Sequence, residues 1–171
     1  DNQAGMSARR KVRFRWYGEA WHGDGGTLEV KCRASRVGWK WSTRVAAPFD
    51  ARHWPWQRFH DQLRAHVPPN FRLLLEEQPL ATLVNRYRRE YFLSRDRQLR
   101  LTIDRALQVW PQLGRARPQV TRPAHKPDAL VVELKCTQAA EALAADALAT
   151  IPLRVGRHSK YSVGIESLQN L

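Results

Sequence analysis

The chain has 171 residues, with 29 Lys plus Arg against 16 Asp plus Glu and a formal net charge of +13. That length suits one domain of ordinary size, and 43% hydrophobic content supplies a core, which argues against global disorder. No apolar run approaches the ~18–20 residues of a membrane span, no signal-peptide pattern opens the chain, and two cysteines, Cys32 and Cys136, are too few for a disulfide framework or a zinc cluster. The charge instead calls for an anionic partner: nucleic acid, an acidic membrane surface, or phosphate-rich small molecules.

Asp1-Asn2-Gln3-Ala4-Gly5 opens without an initiator Met, and an alternating segment starts a few residues later, as expected of a chain that begins partway through a domain. Over 11–17, Lys-Val-Arg-Phe-Arg-Trp-Tyr has the period of two that marks a strand with two different faces. His22-Gly23-Asp24-Gly25-Gly26 reads as a turn, and strands follow over 27–33 and 39–45. Asp50 is placed to cap a helix over 51–66, which Pro68-Pro69 stops; a short helix over 71–77 comes next. Strand periodicity returns over 80–93 and 98–109, with Arg95-Asp96-Arg97 as the hairpin turn between them. Residues 111–128 carry four prolines and read as a long surface loop. A strand over 129–135, an Ala-rich helix over 139–150 and a last helix capped by Ser159 complete the chain. With many strands, few helices and no βαβ alternation, the fold class is α+β with antiparallel strands.

The polar faces of these strands carry the chemistry. A half-buried strand usually shows water a mixed polar face. Here basic residues dominate: Lys11, Arg13 and Arg15; then Glu29, Lys31 and Arg33; then Arg100, Thr102 and Asp104; then Glu133 and Lys135. Arg is the prevailing cation, and its rigid fork matches two phosphate oxygens at once. The opposite faces are apolar, and parity puts Trp16, Trp39, Trp41, Cys32 and Cys136 there, as core. Two arrangements satisfy the pattern. One is an open sheet with a basic platform in water, which periodicity alone favours. The other is a closed barrel with the charged face turned into a wet lumen that holds a polyanion. The words Leu28-Glu29-Val30-Lys31-Cys32 and Val132-Glu133-Leu134-Lys135-Cys136 repeat one pattern. In each, a carboxylate and a cation two residues apart share a face, which suits a metal ligand beside a phosphate clamp, or a same-face salt bridge.

Several segments occur in a telling order: Lys11-Val12-Arg13-Phe14-Arg15-Trp16-Tyr17-Gly18, the two Glu-x-Lys words, Tyr87-Arg88-Arg89-Glu90-Tyr91-Phe92, Leu99-Arg100-Leu101-Thr102-Ile103-Asp104 and His158-Ser159-Lys160-Tyr161. Together they resemble the VTC domain, the polyphosphate-polymerase branch of the triphosphate tunnel metalloenzymes, over residues 1–171. The resemblance implies an antiparallel β-barrel, a triphosphate tunnel with helices packed outside, incomplete here at its N-terminal portion. It implies metal-dependent phosphoryl transfer from ATP to a growing inorganic polyphosphate chain. Triphosphate hydrolysis on the same scaffold and a non-catalytic polyphosphate- or RNA-binding module are the alternatives. The family's catalytic cations fall on Arg13, Arg15, Arg89, Arg100 and Lys160, and Arg157 stands where the eukaryotic pattern has a second Lys. Lys11, Lys31 and Lys135 extend the phosphate-binding set. A divalent metal, Mn²⁺ or Mg²⁺, is expected on Glu133, with Glu29 or Asp104 as further ligands. The expected partners are ATP and polyphosphate or triphosphate, with no nucleic acid. The expected compartment is the cytoplasm, either free or at the inner face of a membrane through other subunits.

Overall fold

Three successive segments alternate charged with apolar residues, and each becomes a strand. The computed structural model describes residues 8–34, 37–123, 130–152, 156 and 158–169. Its first elements are β1 (Ala8–Arg15), β2 (His22–Gly23), β3 (Gly26–Ala34), β4 (Val37–Val45) and β5 (Phe49–Asp50). The strand β3 lies between β1 and β4, antiparallel to both, and β2 pairs with β5 in a short ladder of their own. Two helices follow, α1 (Trp56–Ala65) and α2 (Pro69–Glu76).

These elements belong to one of two compact units, Asp1–Thr82 with Gln112–Arg122. Its core joins Leu28 and Val30 of β3 to Phe49, to Phe59 and Leu63 of α1, and to Phe71, Leu74 and Leu75 of α2. Phe14 of β1 meets Phe49 and Phe59 edge-on, with ring centroids 5.3 and 5.5 Å apart, a favourable geometry for aromatic quadrupoles. Gly26 permits that packing: a Cβ there would run into the Phe14 ring and lie 2.7 Å from the Arg15 carbonyl oxygen.

The helix expected over 51–66 starts five residues late, at Trp56. Pro55 is the cause, because the residue before a proline is driven out of the helical region. Asp50 therefore caps a turn instead, its Oδ1 accepting from the backbone N–H groups of Arg52 and His53 at 2.9 Å each. Residues 112–122 of the Pro-rich connection belong to this unit. Gln112 is fully buried, and its side-chain amide donates to the Gln119 carbonyl and accepts from the Gln119 N–H, both at 2.9 Å. One buried amide thus pins a loop whose backbone lacks a ladder of its own.

The other unit is Leu83–Pro111 with Pro123–Leu171. Its strands are β6 (Leu83–Leu93), β7 (Leu99–Pro111) and β8 (Val131–Cys136), with β7 central and every pairing antiparallel. The Arg95-Asp96-Arg97 turn forms as expected, with Arg97 at φ 60°. A bulge interrupts β6–β7: Arg86 pairs with Gln108 but Arg88 pairs with Arg105, so Ala106 and Leu107 oppose Tyr87 alone. A short 3₁₀ turn (Gln138–Ala140) leads into α3 (Glu141–Ala149), and α4 (Lys160–Gln169) closes the chain. The Ser159 hydroxyl accepts from the Ser162 N–H at 3.3 Å, the expected cap. Gly164 lets α4 approach β6 and β7, since a Cβ there would lie 2.6 Å from Leu83 Cδ2 and 2.9 Å from Val109 Cγ1.

Parity is right for the tryptophans, but burial is not. Trp16 packs against the core, whereas Trp39 and Trp41, on the outermost strand β4, are 44% and 47% exposed. Cys32 is buried, but Cys136 is exposed at the end of β8. Alternation assigns a side to each residue, and only the covering elements decide whether that side is dry.

Candidate phosphate-binding site

Antiparallel register puts the charged residues of the first sheet on one face. Lys11, Lys31 and Lys40 lie across from one another on β1, β3 and β4; Arg13, Glu29 and Ser42 form the next row; Arg15, Thr27 and Arg44 the next. Glu29, whose side chain is 2% exposed, is the carboxylate at the centre of this face. Arg13 donates from Nε at 3.1 Å and again from Nη2; Arg15 donates to the other oxygen, and Lys40 Nζ stands 3.4 Å from that oxygen. Burial alone would raise the Glu29 pKa, but the Arg13 hydrogen bond and the charges of Arg13, Arg15 and Lys40 hold it below the ordinary value. Glu29 is therefore ionised at neutral pH, and the cations outnumber it. The face keeps a positive surplus that attracts anions.

The second sheet repeats the design with other residues. Arg89 of β6 pairs with Asp104 of β7; Tyr91, Thr102 and Glu133 form the next row, and Leu93, Arg100 and Lys135 the one beyond. Asp104, with a side chain 1% exposed, receives a two-pronged pair from Arg89: Nε to Oδ1 at 2.5 Å and Nη2 to Oδ2 at 2.7 Å. Lys160, at the start of α4, also pairs with Oδ2. Burial again opposes ionisation of Asp104, and the Arg89 and Lys160 hydrogen bonds overcome it, so its pKa is lowered. The same bond raises the Arg89 pKa further above neutrality. Tyr87 underlies both cations, with the Arg89 and Lys160 heads 5.2 and 4.7 Å from its ring centroid.

Glu133 is different. Its side chain is 43% exposed; Lys135 Nζ lies 3.1 Å from one oxygen and Arg89 Nη2 3.9 Å from the other. Burial would raise its pKa, but Lys135 first and then the Arg89 and Lys160 charges lower it. Among the described residues no group of three or more His, Cys, Asp or Glu side chains converges as a metal cage. A hard divalent ion that keeps waters and phosphate oxygens in its shell needs only one or two protein carboxylates. Glu133 suits that role, being ionised and open to solvent. Glu29 and Asp104 differ in being buried, 2% and 1% exposed, beneath the cations that hold their oxygens.

The VTC domain model matches residues 1–169, nearly the whole chain. The chain belongs to the VTC domain family. No curated protein and no solved structure matches it. The VTC family is related to polyphosphate polymerases and includes their catalytic domains.

In this VTC domain, Lys11, Arg13, Arg15, Glu29 and Lys31 share one face of the first sheet. Arg89, Arg100, Asp104, Glu133 and Lys135 share one face of the second, joined by Lys160 from α4. Arg100 is exposed and makes no ion pair among the described residues. Arg157 lies outside the described residues. Lys40 and Arg44 of β4, which are not among the expected site residues, also lie on the face of the first sheet, and their alternation with Trp39, Trp41 and Val45 was the available signal. Tyr87 and Tyr91 lie two residues to either side of Arg89 in β6, so strand alternation already puts them on its face, and both rings flank the Arg89 head, at 5.2 and 5.8 Å.

Proposed function

We propose that this VTC domain transfers phosphoryl groups from ATP to a growing inorganic polyphosphate chain, and that each basic face binds phosphate. One observation carries the reading: on both three-stranded sheets the polar face is a set of cations gathered around a buried, ionised carboxylate. Such a face binds a multiply charged anion of extended shape. In the reaction a terminal phosphate oxygen of the chain attacks the γ-phosphorus of ATP. The bond from that phosphorus to the β–γ bridging oxygen breaks, and ADP leaves. Phosphoryl transfer asks the protein for alignment and charge neutralisation, not for a covalent intermediate. Arg13, Arg15, Arg89, Arg100 and Lys160 neutralise the oxygens nearest the transfer, and Lys11, Lys31, Lys135 and Arg157 hold the flanking phosphates. Glu133 would hold a divalent cation, Mn²⁺ or Mg²⁺, which when bound shields the negative charge of adjacent phosphate oxygens.

The test is incubation of the full chain with ATP and Mn²⁺, with products separated by chain length. Long-chain polyphosphate is the expected product. Free phosphate alone would make the domain a triphosphatase. Absence of both products, together with tight RNA binding, would make it a binding module.

A further inference from the structure

The two buried carboxylates have a role that metal ligation does not describe. Glu29 sits under the heads of Arg13 and Arg15, and Asp104 under those of Arg89 and Lys160. Their side chains are 2% and 1% exposed, and all four of their oxygens accept from cations. The cations are more open, with side chains 17–35% exposed, so their outer sides face the solvent that a ligand would replace. We infer that Glu29 and Asp104 are positioning residues: each fixes a pair of cationic heads, within its own unit, in the geometry that receives phosphate oxygens. The inference rests on the phosphate-binding reading above.

The physical argument is one of pre-organisation. A free Arg or Lys side chain loses rotamer freedom when it grips a ligand, and neighbouring cations repel each other into divergent rotamers. A carboxylate beneath them removes both costs before the ligand arrives, and Arg accepts this well because its fork still presents other N–H groups. Placing an anion in an anion site has an obvious electrostatic cost. The sign of the effect on binding therefore separates positioning from simple charge.

Isothermal titration calorimetry on the full chain decides it, with tripolyphosphate as the probe in chelator-containing buffer and Mn²⁺ alone in a second titration. Asp104→Asn adds one positive charge to the site. Positioning predicts that it nevertheless weakens tripolyphosphate binding by about tenfold, while Mn²⁺ affinity stays within about twofold of wild type. Asp104→Glu, which keeps the charge but displaces it by one methylene, should lose affinity in the same direction. Unchanged or tighter tripolyphosphate binding in Asp104→Asn overturns the inference. Parallel loss of Mn²⁺ binding overturns it too, because that marks a metal ligand. If wild type itself binds no tripolyphosphate, the phosphate-binding reading falls and takes this inference with it. Should Asp104→Asn fail to give a folded amide spectrum, Glu29→Gln on the other sheet decides by the same two titrations.

Discussion

Glu29 shows how one side chain organises many. A buried carboxylate among Arg13, Arg15 and Lys40 is stable only as the ion, because protonation would leave the surrounding cations to repel each other. Its pKa is depressed from an ordinary 4.5, so its contribution to stability is fully present above that value and is lost as pH falls through the lowered folded-state pKa. Chemical denaturation between pH 7 and 3 should show stability falling below about 4.5. Glu29→Gln should be less stable by roughly 2–4 kcal/mol at pH 7, below the 3–5 kcal/mol of a fully buried pair because Arg13 and Arg15 reach water. The variant should also lose less stability in acid, and an acid limb as steep as wild type would assign that limb to other carboxylates. Glu133 is the contrasting residue: Glu133→Gln should weaken Mn²⁺ binding in calorimetry at unchanged thermal stability, since its carboxylate is half in water.

At the scale of elements, the strands are placed by alternation but tuned by irregularities. The bulge opposite Tyr87 leaves Ala106 at φ 50°, a left-handed conformation that costs a non-glycine residue roughly 1 kcal/mol. Ala106→Gly should therefore raise the unfolding free energy by about 0.5–1 kcal/mol in urea titration, with the m-value unchanged. The opposite sign is expected at Gly164, where α4 rests on Leu83 and Val109 with no room for a Cβ. Gly164→Val should cost about 1–3 kcal/mol through overpacking. It should also weaken tripolyphosphate binding, because α4 carries Lys160. Neither position was legible in the sequence. A bulge arises from a mismatch between two strands, and a close helix–sheet approach needs a partner that lies more than fifty residues away. The late start of α1, by contrast, was legible in Pro55, whose effect on Trp54 is local.

For the whole molecule, the surplus of 29 basic over 16 acidic residues is concentrated on two sheet faces as well as spread over the surface. Binding through those faces should weaken steeply as salt rises from 0.05 to 0.5 M, since screening shortens from roughly 14 to 4 Å. Linear polyphosphate should displace labelled tripolyphosphate from these faces while duplex DNA of equal total charge should not; efficient displacement by duplex DNA would point to an open basic platform. No described helix is long and apolar enough to cross a membrane. The sequence by itself determined the antiparallel α+β class, the six longer strands, the charged side of those that line the two faces, and the family, because all of these rest on the period of two and on ordered local words; the two-residue strands β2 and β5 are too short to show a period. Only the tertiary structure decided which cations meet which carboxylate. It also decided that Glu29 and Asp104 are enclosed by arginine and lysine heads while Glu133 stays open. Trp39 and Trp41 remain half in water for the same kind of reason. Burial and pairing are set by the elements that come to lie across a face, and a strand's own alternation carries no record of its neighbours.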